Sequence, residues 1–313
     1  MRIADLHCDA LSKLDRDPKL TWDGPSGSGL DVTAEGLANG NVGLQAFAIW
    51  VPAGTAKTPE SALRQAELLH EKILSAPGMR LVKSRADVDA VLGPDAAERG
   101  ALLTLEGADA LRGERWALRL LHRLGLRMLG LTWNEANWAC DGIMEPRGAG
   151  LTKEGRSLVA ECEALGILID VSHISEKGFW ETAELARKPF LASHANARAQ
   201  CPHPRNLTDD QIRALVSANG LIGITFVPFF LQALRPAGID DVLRHVDHIC
   251  ALGGANHIAF GSDFDGIDTY TLGLAGPGDY SALTDALLAR HAEPLVRGWM
   301  SGNARRFLTE NLK

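Results

Sequence analysis

TKEGRSLVAECEALGILIDVSH, residues 152–173, decides the fold. The pattern is helical from Thr152 to the glycine that closes it, Gly166. A continuous apolar run follows at 167–172, the signature of a strand buried on both faces rather than one. His173 ends that run. Helix, buried strand, then a chemically competent side chain at the strand's end is a unit that the rest of the chain repeats.

Working outward, eight short apolar runs stand out, at 2–8, 42–51, 101–105, 128–133, 167–172, 190–193, 221–226 and 258–261. Helical patterns lie between most of them. TPESALRQAELLHEKIL begins with Thr58 as N-cap and Pro59 at the first helical position. TDDQIRALVSANG opens with Thr208 and Gln211 at capping-box spacing and closes on Gly220. DDVLRHVDHICALGG also ends on glycine. Strands alternating with helices mean a parallel sheet, and eight such units predict an α/β fold of the closed (β/α)8 barrel type, as one domain over residues 1–313. No linker, low-complexity tract or short repeat interrupts it. Residues 12–30 and the glycine-rich 266–280 are expected to be irregular loops at the C-terminal face.

Composition narrows the function. With Lys+Arg 32 against Asp+Glu 39 the net charge is −7, which carries no electrostatic footprint for nucleic acid or an anionic membrane. Cys8, Cys140, Cys162, Cys201 and Cys250 are scattered and odd in number, without a CxxC. A disulfide framework and a cysteine-only zinc site are therefore not expected. A start of MRIADLHCDA lacks a signal-peptide core, no 18-residue uncharged apolar run exists, and RFLTENLK is not a lipid-anchor tail. The expected location is the cytoplasm.

In such a barrel the active site is built at the C-terminal strand ends. The residues that close the runs are His7 and Asp9, Glu106, His173, His194 and Asp263. Buried carboxylates are rare unless paired or bound to metal, so six such groups on one rim call for cations. Residues two apart on a strand share a face, which lets His7 and Asp9 reach one ion together. Imidazole plus carboxylate without thiolate suits zinc or a similar divalent ion. Three histidines with Asp9 and Glu106 exceed the needs of one catalytic zinc and suit two ions sharing a bridging carboxylate. Cys8, between two ligands, is expected to point away into the core; His203 and His257 read as solvated loop residues. Trp133 closes the fourth run and is expected to face the site.

The set DLHCDAL, TLEGADAL, GLTKEGRSLVAECEALGILIDVSH, FLASHANARA, HPRNLTDDQI and IAFGSDFDG resembles the membrane (renal) dipeptidase family, peptidase family M19, of the amidohydrolase superfamily. The similarity runs in order over nearly the whole chain. The resemblance implies a (β/α)8 barrel that hydrolyses dipeptides with two zinc ions per chain, bridged by Glu106 and a water or hydroxide. It implies His7 and Asp9 on one zinc, His173 and His194 on the other, Asp263 handling protons, and Arg205 holding the substrate carboxylate. A C-terminal D-residue would be tolerated, and a homodimer would be the partner state, with no nucleic acid or membrane partner.

The chain departs from the family pattern in LTWNEANWACDG, where Trp133 stands at the position of a substrate-facing histidine of animal members. No secretion signal or anchor like those of the animal members is expected, which resembles a bacterial-type soluble member. No lysine closes a strand, Lys188 preceding its own, so the carboxylated-lysine bridge of neighbouring amidohydrolases has no candidate and Glu106 remains. The residues leave two rivals to a dipeptidase open: a binuclear amidohydrolase for a lactam, lactone or N-acyl amino acid, and a non-catalytic metal- or peptide-binding protein.

Overall fold

A computed structural model describes residues 1–25, 27–51 and 56–313 of the chain. Among these residues there are nine strands: β1 Ile3–Asp5, β2 Val42–Ile49, β3 Met79–Leu81, β4 Arg99–Glu106, β5 Leu126–Gly130, β6 Leu168–Asp170, β7 Leu191–Ala192, β8 Leu221–Ile224 and β9 Ile258–Phe260. All pairings between them are parallel. β2 pairs with both β1 and β4, and β1 with β9, so eight strands close into the ring β1-β2-β4-β5-β6-β7-β8-β9. These are the eight apolar runs of the sequence. The ninth, β3, pairs only with the first residues of β4 and is half-buried, which is why no apolar run announced it.

Two packed layers hold the barrel. Ala4, Leu44, Leu102, Met128, Leu168, Leu191, Leu221 and Ala259, one from each barrel strand, form a single buried cluster. Only the interior of a closed ring brings one face of all eight strands together. Val88 and Val91 of the helix Arg85–Leu92, with Ala304, Phe307 and Leu308 of the helix Asn303–Asn311, join that cluster and plug the N-terminal end. Outward-facing residues such as Phe47, Leu103, Leu129, Ile169 and Ile222 pack under the surrounding helices in a larger cluster that also takes in Cys8. With one end plugged, only the C-terminal end is left for chemistry. Among the described residues no helix is long and apolar enough to cross a membrane.

The helix ends follow their sequence signals with one exception. Thr58, Thr152 and Thr208 each cap a helix by accepting a backbone N–H three residues on, and Gln211 completes the capping box. Gly166 takes the left-handed conformation, φ 76°, that a side chain resists, and turns the chain into β6. At the end of Asp209–Ser217 the left-handed residue is Asn219, φ 53°, and not Gly220. Asparagine tolerates that region, and Gly220 is needed instead because a Cβ there would strike the Phe190 carbonyl.

The expectation of an irregular 12–30 is corrected: Ala10–Arg16 is a helix, anchored by buried Ala10, Leu11 and Leu14. It escapes the usual signals because Asp9, at its N-cap position, makes no capping bond and turns its carboxylate into the barrel mouth. Residue 26 of that stretch lies outside the described residues. Residues 266–280 hold isolated bridges at Thr271, Leu272 and Leu274 and the single-turn 3-10 helix Pro277–Asp279 before the helix starting at Tyr280.

Candidate metal centre

Glu106 is the last residue of β4, and the other five side chains follow within four residues of their strands: His7 and Asp9 after β1, His173 after β6, His194 after β7 and Asp263 after β9. Two buried strand carboxylates tie these ends together. Asp5 Oδ1 accepts from the N–H groups of His7 and Ser262, and Asp170 Oδ1 from those of Ser172 and Ser193. His173 and Asp263 then turn the chain through left-handed conformations, φ 67° and 68°. Non-glycine residues in that region are uncommon and concentrate at functional sites.

All six sequence-predicted groups converge. Glu106 divides its oxygens between two sides: Oε1 lies 2.8 Å from His173 Nε2 and 3.5 Å from His194 Nε2, while Oε2 lies 3.7 Å from His7 Nε2. His7 Nε2 is also 3.5 Å from Asp9 Oδ2 and 3.9 Å from Asp263 Oδ1. Two overlapping groups, His7–Glu106–His194 and His7–Asp9–Asp263, have ligand atoms close enough to share an ion.

The hydrogen bonds decide which ring nitrogens are free. Asn134 Oδ1 faces His173 Nδ1 at 2.8 Å, and an amide oxygen only accepts, so Nδ1 carries the proton. Ser193 Oγ donates to Asp170 Oδ2 and accepts from His194 Nδ1 at 2.7 Å. Both Nε2 atoms therefore present lone pairs, 2.7 Å from each other and beside Glu106 Oε1. Acceptors crowded this way in a buried site need a cation among them. His7 Nε2 and Asp9 Oδ1, buried and without hydrogen-bond partners, are further donor atoms waiting for the same service. The residues fit a divalent metal centre.

The electrostatics of the chain alone say the same. Burial raises the Glu106 pKa well above the ordinary carboxylate range and, with Asp9 adding to it, raises Asp263 to about 7. Burial works against a charged His7, yet Glu106, Asp9 and Asp263 outweigh it and hold the imidazole up at about 10. Burial, with Arg205 and His7 nearby, pushes His173 and His194 well below the usual histidine range. Without metal, the cluster takes up protons to relieve its own charge. A bound divalent ion reverses that logic for every carboxylate it touches.

A cavity of about 450 Å³ opens over this cluster. Arg205 lies in its wall, buried, with Nη2 donating to the His194 carbonyl, Nε unpartnered, and the guanidinium over the Phe230 ring at 5.4 Å. Burial lowers its pKa to about 10, and Asp263 and Glu106 pull the other way. Trp133 lines the cavity as expected, its ring 5.3 Å from Trp50 and 5.9 Å from His173.

His203 corrects the sequence reading. It is a loop residue as expected, but half-buried and not simply solvated: it lines the cavity, its ring lies tilted against Phe230 at 4.4 Å, and its Nδ1 accepts from the Arg205 backbone N–H. His257 sits in the turn before β9, at the far end of the barrel, bonded to the Gly220 carbonyl. The sequence reading also passed over the groups that orient the two imidazoles, Asn134, Asp170 and Ser193. A signal for Asp170 was present, as a lone aspartate inside the apolar run ILIDV. Gly266 was missed too; a Cβ there would collide with the carboxylates of Asp9 and Asp263.

The Asp170–Ser193–His194 relay yields a prediction. Ser193→Ala should leave the fold intact and weaken divalent-metal binding ~10–100-fold, the usual range for a partner behind a ligating histidine. Competition against a chelator measures it, and unchanged affinity would reduce the Ser193 hydroxyl to packing.

Residues 1–312 match the sequence model of the family described as Membrane dipeptidase (Peptidase family M19). The dipeptidase aclJ of Aspergillus oryzae is 31% identical over 287 residues, 87% of this chain and 68% of that protein. A metallo peptidase from Rhodobacter sphaeroides, solved with a phosphinate mimic of the dipeptide L-Ala-D-Ala, superposes with a TM-score of 0.89 at 31% identity, covering 100% of this chain and 99% of that one. The solved structure of the M19 metallo peptidase dipeptidase AC superposes at 0.90 with 31% identity and the same coverage. The lone-pair cluster at the barrel mouth is thus framed by a fold and a sequence shared end to end with metallopeptidases: the chain belongs to the membrane dipeptidase family, peptidase family M19.

Proposed function

We propose that this protein is a binuclear zinc dipeptidase that cleaves dipeptides carrying a free C-terminal carboxylate. The observation that carries the reading is the pairing, in one cavity, of a carboxylate split between two sets of imidazoles with a buried, under-partnered guanidinium. His7 and Asp9 would hold one zinc, His173 and His194 the other, with Glu106 between them. When bound, the two ions supply an acidified water and polarise the scissile carbonyl. Asp263 takes the proton released at the water and delivers it to the leaving amine. Arg205 receives the C-terminal carboxylate, and the Phe230 ring behind it keeps that pair dry. The cavity lies within the range of small-molecule sites, about 300–1,000 Å³. Trp133, packed at a tilt against Trp50, forms an aromatic wall for the substrate. Because Arg205 reads the carboxylate and not the chirality beside it, a C-terminal D-residue is accepted. The phosphinate mimic of L-Ala-D-Ala in the Rhodobacter sphaeroides relative supports this.

The test is a two-by-two comparison of wild type and Arg205→Ala, each with a dipeptide and its C-terminal amide. Wild type should favour the free acid. The substitution should cut kcat/KM for the acid by ~10²-fold and narrow the gap, since a buried charge-assisted pair is lost. Arg205→Lys should recover only part, because a point charge cannot copy the fork. No coupling between residue and carboxylate would remove the substrate assignment. Turnover of a lactam or N-acyl amino acid with none of any dipeptide would shift it to the alternative amidohydrolase.

A further inference from the structure

Arg16 is a charged group at the cavity that this reading leaves without a role. Asp9, Ser12, Lys13 and Arg16 all line the cavity, and their spacing of three, four and seven residues places them on one face of a helix. That face starts at a metal ligand and runs outward, with Arg16 about 10 Å along the axis from Asp9 at 1.5 Å per residue. The two cations on it differ. Lys13 is neutralised by Asp265 at 3.0 Å and Asp31 at 3.8 Å. Arg16 is exposed, spends only its Nε on the Ser12 carbonyl, and has no carboxylate within ion-pair distance among the described residues.

The barrel order says which part of a substrate meets it. Arg205 follows β7, and β2, the strand across the ring of eight from β7, has β1 and its helix as neighbour. A dipeptide whose carboxylate rests on Arg205, with its peptide bond over Glu106, therefore turns its amino-terminal side chain toward the rim where Arg16 stands. We infer that Arg16 is a specificity-determining residue that favours dipeptides with an acidic amino-terminal side chain, an inference that rests on the dipeptidase reading. Asp268, exposed on the β9 side of the same cavity, is the group that would favour the opposite charge.

The experiment measures kcat/KM of the zinc-loaded enzyme for L-Glu-L-Ala, L-Gln-L-Ala and L-Lys-L-Ala, in wild type, Arg16→Met and Arg16→Lys. Wild type should prefer Glu over Gln by about fivefold, the upper range for a solvent-exposed ion pair, and the preference should shrink as salt is added. Arg16→Met should bring the Glu/Gln ratio to about one, and Arg16→Lys should keep part of it. Cleavage of all three without preference, a ratio that survives in Arg16→Met, or a preference for Lys would overturn the assignment while leaving the dipeptidase reading standing. Cleavage of none by the wild type would overturn both.

Discussion

Glu106→Ala should purify folded with fewer than two zinc ions per chain and lose ~10³-fold or more in kcat/KM for dipeptides, several kcal/mol of transition-state stabilisation. The reason is the division of one carboxylate between two sides. Oε1 serves His173 and His194, Oε2 serves His7, and no other carboxylate among the described residues meets both sets. On the binuclear reading, alanine would remove a ligand atom from each side at once, together with the negative charge between the two ions. Glu106→Gln keeps the shape but offers neutral oxygen to one side and an amide N–H to the other, so its metal content should fall between wild type and alanine. Metal analysis by mass spectrometry on protein checked by circular dichroism reads the result. Two ions retained in Glu106→Ala would end its role as the bridge.

Asp263→Asn should keep both zinc ions and the fold while lowering kcat by ~10²–10⁴, the range for loss of a general acid–base. The substitution is clean in conformation, because Asp263 sits at φ 68° and asparagine tolerates the left-handed region well. It removes the one feature at issue, a group able to hold and release a proton. The same experiment separates two roles that the geometry allows. Asp263 Oδ1 stands 3.9 Å from His7 Nε2, inside a group with Asp9 that could itself ligate. A rate loss that merely tracks falling metal content would make Asp263 a ligand instead.

The orienting residues show how much of this centre is legible in the sequence. His7, Asp9, Glu106, His173, His194 and Asp263 are legible because each breaks an apolar run at its end, and a charge in that position has to be compensated. Asn134, Ser193 and Asp170 act across strands: Asn134 reaches His173 over 39 positions and Ser193 reaches Asp170 over 23. No local pattern marks such pairs. The same is true of His203, whose neighbours in sequence suggest solvent and whose neighbours in space are Phe230 and Arg205.

What the sequence determined by itself is the set of eight buried strands, the caps that start their helices, and the ligand types gathered at one end. Those properties depend on periodicity, on glycine and threonine at helix ends, and on the cost of burying charge, all of which act over a few residues. Tertiary structure alone decided which oxygen of Glu106 faces which imidazole and which ring nitrogens keep a lone pair. It also decided that Arg205 lies in the cavity wall with Nε unspent, and that the helix after Asp9 brings Arg16 to the cavity's lining. Each of these depends on closing the ring: until β1 meets β9 and β2 meets β4, side chains far apart in the chain share no dielectric, no hydrogen bond and no ion.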